Sequence, residues 1–306
     1  MTPTLSLCMP TNGVVEWVFP TLDSIFTQSV DNTLFEVVIT DNGNNQEFKS
    51  LIKKYVESHD NIKYYETDAL PFINEIESYK RANGELIKYI NHRTRLCDGT
   101  LLRLLNFVEK NKDAKPVTYF SNGVLKLPEQ VIEVNSFDAF VKKLHYWSSW
   151  STGMTIWKAD FEKLPENVED FNELFPHTNV LFNERHREKY VIDDSIIFDE
   201  IPQGTKPKGN YDLYYAFGVS YPEIIEKLMT DGDITTDTYR YVLDRNLEFV
   251  AWLYWAYNIK KSYCSYDLNG LNSMFGKYYS KSELIAKLVS NIIKAIPRKM
   301  SGVLHK

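Results

Sequence analysis

Residues 10–28 read PTNGVVEWVFPTLDSIFTQ, and residues 38–44 read VITDNGN. The first stretch follows a short apolar run, Leu5–Met9, which predicts a buried strand that ends at Pro10. Beyond the turn, apolar residues recur at helical spacing and predict a helix over Glu16–Gln28. The second stretch closes another apolar, β-branched run, Phe35–Thr40, and turns at Asp41. Each stretch therefore contains the polar turn at the end of a predicted strand.

The same alternation of strand-like and helix-like segments continues to residue 120. The pattern predicts strands at residues 61–66, 85–90 and 117–120, and helices at residues 48–56, 71–82 and 99–109. Strands that alternate with helices of this length are typical of a largely parallel sheet covered on both faces. We therefore predict an α/β fold with a Rossmann-like, mixed and mainly parallel sheet flanked by helices.

The pattern becomes less regular after residue 120 and is mostly helical at the end. Helices are predicted at residues 136–144 and 171–187, and strands at 152–157 and 190–198, before a polar loop at 202–209. Three helical patterns follow at residues 222–229, 236–257 and 282–296, with Ser220 as a helix start and Ser280-x-x-Glu283 as a capping box. We expect an α/β domain at residues 1–215 and a helical C-terminal extension at residues 216–306.

The bulk composition is that of a folded protein, with 43% hydrophobic and 25% charged residues among 306. Its three cysteines, Cys8, Cys97 and Cys264, have neither zinc spacing nor a disulfide pattern. The beginning lacks a signal-peptide pattern, and we expect no membrane-spanning helix. A net charge of −6 argues against a nucleic-acid partner. These properties favour a cytoplasmic protein.

The two opening stretches resemble glycosyltransferase family 2, which comprises inverting enzymes of the GT-A fold. The family pattern P-T-Y-N-R-x-E-x-L-x-x-T-L-x-S-I-x-x-Q aligns without a gap with residues 10–28, and V-V-D-N-G-S aligns with residues 38–44. A third pattern, A-K-G-E-Y-I, matches ANGELI at residues 82–87. The segments FPH at 175–177 and YVIDD at 190–194 resemble the abequosyltransferase-like branch of the family. The resemblance covers about the first 110 residues well.

The resemblance implies a nucleoside-diphosphate sugar as donor. In open α/β sheets, ligands bind outside the carboxyl ends of the strands, where the matched turns are predicted to lie. The candidate donor-binding residues are Pro10, Thr11, Asn12, Glu16, Asp41, Asn42, Asn74, Asn91, His92, Arg93 and Arg95. A simpler interpretation of residues 41–43 is an ordinary turn, because Asp, Asn and Gly favour turns in any protein.

The family's metal-binding motif is missing from this chain. Members carry an Asp-x-Asp or Asp-Asp-Asp motif that binds Mn²⁺ or Mg²⁺, which clamps the donor diphosphate. Here the corresponding strand runs into Asn91-His92-Arg93-Thr94-Arg95. A Mn²⁺ or Mg²⁺ cofactor stays open as an alternative, but its usual ligands are absent and we assign no metal ligand. Either His92, Arg93 or Arg95 supplies positive charge in place of the metal, or activity is lost and a nucleotide- or glycan-binding protein remains.

The resemblance also implies a general base at the start of a helix before the last core strand. Counting back from Tyr190 places His177 near that position, and an imidazole can act as a base near neutral pH. Glu173 and Asp170 are the carboxylate alternatives. A packing role for His177 is the other interpretation.

An aromatic-rich segment precedes the strand predicted at residues 152–157. Trp150, Ser151 and Gly153 are candidate acceptor-binding residues, with Tyr146 and Trp147 beside them. Aromatic rings suit the faces of an acceptor sugar, although they serve equally well in a hydrophobic core.

Charge is distributed unevenly along the chain. Residues 277–306 carry seven Lys or Arg and one Glu, a net charge of +6, which leaves −12 for the rest. Apolar residues at helical spacing predict that this tail forms a basic amphipathic helix. Such a helix fits peripheral contact with a membrane, and the alternative is an element for homo-oligomerisation or capping.

The expected function follows from these patterns and the resemblance together. We expect an inverting glycosyltransferase that moves a hexose-type sugar to the hydroxyl of a saccharide or lipid-linked saccharide. The reaction would belong to surface polysaccharide or glycoconjugate assembly, at the inner face of the cell membrane if the tail binds lipid.

Overall fold

The computed structural model describes residues 2–164, 171–202, 204, 206–207 and 209–301, with side chains as far as residue 291. The chain forms two compact units. The first unit comprises residues 1–140 and 147–202, and the second unit comprises residues 141–146 and 203–306. The predicted domain boundary after residue 215 stays a prediction, because compact packing is not evidence of independent folding.

Ten strands occur in the described part of the chain, all in the first unit. They are β1 (Leu5–Thr11), β2 (Phe35–Asp41), β3 (Ile62–Glu66), β4 (Leu86–Tyr89), β5 (Thr94–Leu96), β6 (Val117–Phe120), β7 (Val131–Val134), β8 (Thr155–Trp157), β9 (Tyr190–Asp193) and β10 (Phe198–Glu200). The main sheet has the order β3-β2-β1-β4-β8, in which the first four strands are parallel and β8 is antiparallel to β4. A second sheet has the order β6-β9-β7, and β5 pairs with β10.

Eleven α-helices are described, and several shorter 3₁₀ and π segments join them. The helices are α1 (Val15–Phe26), α2 (Gln46–Glu57), α3 (Asn74–Lys80), α4 (Thr100–Asn111), α5 (Phe137–Leu144), α6 (Lys158–Phe161), α7 (Pro176–Leu181), α8 (Leu213–Tyr215), α9 (Tyr221–Thr230), α10 (Thr236–Tyr254) and α11 (Lys281–Ser301).

The main sheet is covered on both faces, which confirms the predicted fold class. All seven residues of β2 are buried, as expected for a parallel strand between two layers of helices. Alternate side chains of β1 point to opposite layers: Leu7 packs with residues of α1, α2 and α4, whereas Cys8 packs with residues of α3 and α7. Helix α2 begins at Asn45, whose side chain accepts the N–H groups of Glu47 and Phe48.

The middle of the chain departs from the sequence prediction. The predicted helix over residues 171–187 is wrong in extent, because only Pro176–Leu181 is helical. The Asn172 side chain accepts the N–H groups of Leu174 and Phe175, a local turn that competes with a helix. The short strands β5 and β7, of three and four residues, were not predicted.

The strand predicted over residues 190–198 is two strands, β9 and β10. At the end of β9, the Asp193 carboxylate accepts the N–H of Ser195 and two bonds from Arg103. Asp194 instead accepts the N–H groups of Leu125 and Leu127. These side chains bend the chain away from a continuous strand.

The second unit is mainly helical. The capping box is confirmed, since Ser280 N–H donates to Glu283 and Glu283 N–H donates to the Ser280 hydroxyl. A helix start at Ser220 is wrong, because the π segment Ala216–Ser220 joins α8 to α9 without a break. No helix among the described residues is both long and apolar enough to cross a membrane.

Candidate active site

Three parallel strands bring polar residues to the carboxyl edge of the main sheet. β1 ends at Thr11, β2 at Asp41 and β4 at Tyr89. The buried Asn74, at the start of α3, ties the first two together, because its amide donates to the carbonyls of Thr11 and Thr40. Its carbonyl oxygen accepts the hydroxyl of Thr67, so the amide is already bonded within the protein.

The turns after β1 and β2 touch each other. A Cβ at position 43 would lie 2.1 Å from the Asn12 carbonyl oxygen, so only glycine fits at Gly43. The Asn42 N–H donates to the Thr11 carbonyl and its amide donates to Ala69. Asn12 itself is exposed, Pro10 is partly buried and Glu16 is exposed in the first turn of α1. The two turns predicted from sequence are therefore brought together, and Asn12 is their solvent-facing member.

Asp41 is only 1% exposed. One carboxylate oxygen accepts the Gly43 N–H at 2.8 Å, and the other accepts the Tyr64 hydroxyl at 2.9 Å. Burial raises the pKa of this carboxyl, while the bonds from Gly43 and Tyr64 act in the opposite direction. Each oxygen keeps a second lone pair for another donor. The recognition of a base N–H by Asp41 stays a prediction.

A hydrogen bond links the end of β1 to the turn after β4. The Thr11 hydroxyl lies 2.7 Å from Nδ1 of His92, and the His92 ring meets the edge of Trp17. Burial lowers the pKa of His92 to about 4, with a smaller contribution from Arg93. The ring is therefore neutral near pH 7. Arg93 and Arg95 therefore remain as the candidates for the positive charge at this edge. His92 stays a candidate donor-binding residue, without a charge.

Arg93 and Arg95 lie in different surroundings. The Arg93 guanidinium lies over the Trp17 ring, 5.6 Å from its centroid, and 3.7 Å from Glu200. The backbone N–H of Arg93 donates to the side-chain oxygen of Asn91, which fixes the turn after β4. Arg95 lies on β5 and is exposed. Arg93 is thus the more strongly positioned of the two cations.

The donor set at this edge does not fit a divalent cation. No carboxylate occurs in Asn91–Arg95, the segment that follows β4. Among the residues described, no group of three His, Cys, Asp or Glu side chains has a metal-binding arrangement. Asp193 and Asp194 are committed elsewhere, to Arg103 and to the turn at residues 121–127.

His177 is buried at the start of α7, and both of its ring nitrogens are hydrogen-bonded. Nε2 lies 2.8 Å from the Ser149 carbonyl, and Nδ1 lies 3.1 Å from Oε1 of Glu75, which is also buried. Because a carbonyl only accepts, Nε2 carries a proton. Glu173 is exposed, and Asp170 lies outside the described residues.

Buried side chains hold the segment of the acceptor candidates through its backbone carbonyls. The anchoring bonds run from Tyr119 to Trp147 and Trp150, from Thr178 to Ser148, from His177 to Ser149, and from Lys88 to Thr152 and Met154. Trp150 packs against the core beside Phe198, and Ser151 is hydrogen-bonded to Tyr89. Gly153 is buried against Tyr119. Of these candidates, Trp150 and Ser151 are partly exposed.

Lys88 is buried within β4 and has no carboxylate partner among the described residues. Its ammonium group donates to the carbonyls of Tyr89, Thr152 and Met154, and it lies 5.8 Å from the Phe120 ring centroid. Burial lowers the pKa of Lys88 to about 7. A lysine amine therefore joins the main sheet to the segment of the acceptor candidates.

Solved glycosyltransferase structures share this fold. TarS 1–349 from S. aureus in complex with UDP-GlcNAc aligns at 15% identity over 84% of this chain and 76% of that one, with a TM-score of 0.54. The mannosyltransferase PcManGT from Pyrobaculum calidifontis, in complex with GDP-Man and Mn²⁺, aligns at 15% identity over 95% and 88% of the two chains, with a TM-score of 0.52. Against the longer TarS structure, the match covers 82% of this chain and 43% of that chain, with a TM-score of 0.53. No family model and no curated protein sequence matches the chain.

These similarities establish the fold. They do not establish a function, because sequence identities of this size do not carry a function by themselves. The sequence patterns missed four residues that organise the edge: Tyr64, Glu75, Lys88 and Tyr119. Lys88 is the one charged residue in the apolar run of residues 86–90, and a charged residue inside a buried strand indicates a specific partner or function. Glu75 and Tyr119 gave no such signal, because their partners are far away in sequence.

Proposed function

We propose that the protein is a glycosyltransferase that takes a sugar from a nucleoside-diphosphate donor and transfers it, with inversion, to a saccharide hydroxyl. We further propose that it acts in the cytoplasm, in the assembly of a surface polysaccharide or glycoconjugate. The observation that carries the proposal is the meeting of Thr11, Asp41 and the Asn91–Arg95 turn at one carboxyl edge of the sheet. Ligands bind at this edge in open α/β folds.

The donor diphosphate gains negative charge as it leaves, and this charge needs a stabilising group. We assign this role to Arg93, with Arg95 as the second candidate. A guanidinium can bind phosphate oxygens through two parallel hydrogen bonds. The mannosyltransferase relative was solved with Mn²⁺, but the residues after β4 in this chain do not suit that ion.

In the transfer, the acceptor oxygen attacks the anomeric carbon, the bond from that carbon to the phosphate oxygen breaks, and the acceptor proton passes to a base. Both ring nitrogens of His177 are occupied, so the atom suited to accept this proton is an oxygen of Glu75. Its Oε1 is bonded to His177, which would orient the carboxylate. Glu173 and Asp170 remain alternative bases.

A second candidate function is a non-catalytic protein that binds a nucleotide or glycan. The absence of a carboxylate in Asn91–Arg95 and the burial of Glu75 and His177 favour it. The two functions share the same edge and differ in turnover alone.

The deciding experiment is a thermal-shift screen with UDP-GlcNAc, GDP-mannose and the free diphosphates, followed by donor hydrolysis and transfer assays. A ligand that binds the native state raises the apparent melting temperature. We expect a nucleotide to stabilise the protein, and turnover to proceed equally in EDTA and in excess Mn²⁺. Binding without turnover would establish the second function, and strict dependence on Mn²⁺ would refute the role of Arg93.

Variants of the three base candidates test the proton transfer. Glu75→Gln should lower turnover by about 10²- to 10⁴-fold while donor binding is retained. Glu173→Gln and Asp170→Asn serve as matched controls and should turn over normally. The opposite pattern would move the base to Glu173 or Asp170.

A further inference from the structure

The hydroxyl of Thr11 has two partners at the end of β1. Its oxygen accepts the backbone N–H of Gly13 at 3.0 Å and lies 2.7 Å from Nδ1 of His92. Thr11 is only 3% exposed, so its hydroxyl depends on these protein partners rather than on water. A hydroxyl has one proton to donate and two lone pairs that accept. Because Gly13 uses one lone pair, the bond to His92 uses either the proton or the second lone pair.

One direction of this bond leaves no polar group of the pair without a partner. Burial lowers the pKa of His92 to about 4, so the ring is neutral near neutral pH and carries one proton. If Nδ1 held that proton and donated it to Thr11, the hydroxyl proton would need another acceptor, and none occurs among the described residues. A buried donor without an acceptor destabilises the folded state. If Thr11 donates to Nδ1 instead, the proton of His92 lies on Nε2.

Nε2 of His92 is the free end of this arrangement. It has no hydrogen-bond partner in the part of the chain that the structure describes, and the His92 side chain is partly exposed. The His92 ring meets the edge of the Trp17 indole, with 5.4 Å between the centroids, and the Arg93 guanidinium lies 5.6 Å from the centroid of the same indole. One buried indole therefore supports both a neutral N–H donor and a permanent cation.

We propose that Thr11 is a positioning residue that holds the proton of His92 on Nε2, and that this N–H donates to a diphosphate oxygen of the donor. The inference rests on the proposed donor site and adds the way in which a neutral histidine contributes there. An N–H group recognises only an acceptor, and the neighbouring Arg93 cation selects an anionic one. A metal ion at Nε2 would need the lone pair that the proton replaces, so this tautomer favours diphosphate oxygens over a cation.

The first test is NMR spectroscopy of the nitrogen-labelled full chain, in which nitrogen shifts distinguish protonated from unprotonated ring nitrogens. Comparison with His92→Phe assigns the signals of His92. Near neutral pH, the unchanged chain and Thr11→Ser, which keeps the hydroxyl, should carry the proton on Nε2. Thr11→Val removes the hydroxyl at similar size, so its His92 signals should move toward a mixture of both tautomers.

The matched control is Thr100→Val, which removes another buried hydroxyl, one that donates to the Ile197 carbonyl. This control should leave the His92 signals unchanged. A proton on Nδ1 in the unchanged chain would overturn the proposal, and so would identical His92 signals in Thr11→Val and the unchanged chain. These outcomes require neither ligand nor turnover.

The second test adds inorganic diphosphate, UDP or GDP in the presence of EDTA. The Nε2 signal should shift on saturation, and calorimetry should show binding weakened about tenfold in His92→Phe, which keeps an aromatic ring without an N–H. His92→Gln should bind nearly as the unchanged chain does, because its amide supplies an N–H donor. Binding that leaves the Nε2 signal unmoved and is equal in His92→Phe would overturn this inference alone. Absence of binding by the unchanged chain would overturn the proposed donor site and, with it, the role of Nε2.

Discussion

Nδ1 of His177 lies 3.1 Å from Oε1 of Glu75, although the two residues are 102 positions apart in the sequence. Both are nearly inaccessible, at 4% and 3% exposure. Since Nε2 donates to the Ser149 carbonyl, the pair needs one further proton between Nδ1 and the carboxyl. The proposed base role of Glu75 requires that this proton lies on Nδ1, so that the carboxylate is able to take the proton of the acceptor. The pair joins α3, α7 and the segment of the acceptor candidates.

The stability of this buried pair can be measured by a double-mutant cycle. His177→Leu leaves Glu75 without its partner and strands the Ser149 carbonyl, so it should lower the free energy of unfolding by about 3–5 kcal/mol. Glu75→Gln keeps a hydrogen-bonding group, so we expect a cost of about 1 kcal/mol. In the double variant, the cost should fall short of the sum by about 1–3 kcal/mol in urea unfolding.

The control for that cycle is Glu77→Gln on the same helix. Glu77 pairs with Lys80 and Arg81 and is partly exposed, so its loss should cost less than about 1 kcal/mol. Strict additivity of Glu75→Gln and His177→Leu would contradict an energetic coupling between the two side chains.

Arg93 and His92 should contribute differently to nucleotide binding. The lowered pKa of about 4 leaves His92 uncharged at pH 6–8, whereas Arg93 keeps its charge. Arg93→Gln should therefore weaken the binding of UDP or GDP by about 10- to 100-fold in calorimetry. His92→Gln should have a much smaller effect. Arg81→Gln, a change directly after the last residue of α3, is the charge-matched control. A larger loss with His92→Gln than with Arg93→Gln would contradict this assignment.

Lys88 should make stability depend on pH in the alkaline range. Its pKa is about 7 in the folded state against an ordinary value of 10.5, so the unfolded chain binds the additional proton between these two values. Stability therefore rises with pH across that window. Between pH 6.5 and 9.5, the unchanged protein should gain up to about 3 kcal/mol more than Lys88→Met does.

Urea unfolding of both proteins at the two pH values measures this difference. Other groups that titrate equally in the two proteins contribute equally to both changes in stability, so their effect cancels in the comparison. The same pH dependence in both proteins would show that Lys88 has an ordinary pKa.

The fold could be predicted from the sequence because each strand and helix of the main sheet has its own apolar pattern between turn residues. β2 is a continuous apolar run between turn residues, and α1 carries its buried residues at helical spacing. The helix predicted at 171–187 failed because the Asn172 side chain bonds to backbone N–H groups, an event that apolar periodicity does not register.

The candidate site was predicted less completely than the fold. Thr11 and Asp41 end predicted strands, so their position at the carboxyl edge followed from topology. The low pKa of His92 depends mainly on its burial and to a smaller extent on the positive charge of Arg93, and no local pattern shows either of them. Glu75 was missed for a similar reason, because its partner His177 comes from a distant helix.

Gly153 should be intolerant of any side chain, because Tyr119 fills the space beside it. A Cβ at this position would lie 2.1 Å from Cζ of the Tyr119 ring. The ring cannot yield easily, since it is fully buried and its hydroxyl lies within hydrogen-bonding distance of the carbonyls of Trp147 and Trp150, at 2.5 and 2.8 Å. Gly153→Ala should therefore lower the free energy of unfolding by about 2–4 kcal/mol in urea titration.

Gly99→Ala separates this steric effect from the general cost of replacing glycine. Gly99 has a φ of +76° and no atom within 4 Å of its Cβ position, so alanine there introduces backbone strain without a clash. We expect a cost of about 1 kcal/mol, because an L-residue pays roughly that in the left-handed region. If Gly153→Ala is no more destabilising than Gly99→Ala, Tyr119 is free to move, and the carbonyls of Trp147 and Trp150 are not rigidly held. A clearly larger loss at Gly153 would instead support a fixed backbone beneath Trp150 and Ser151, the two partly exposed acceptor candidates.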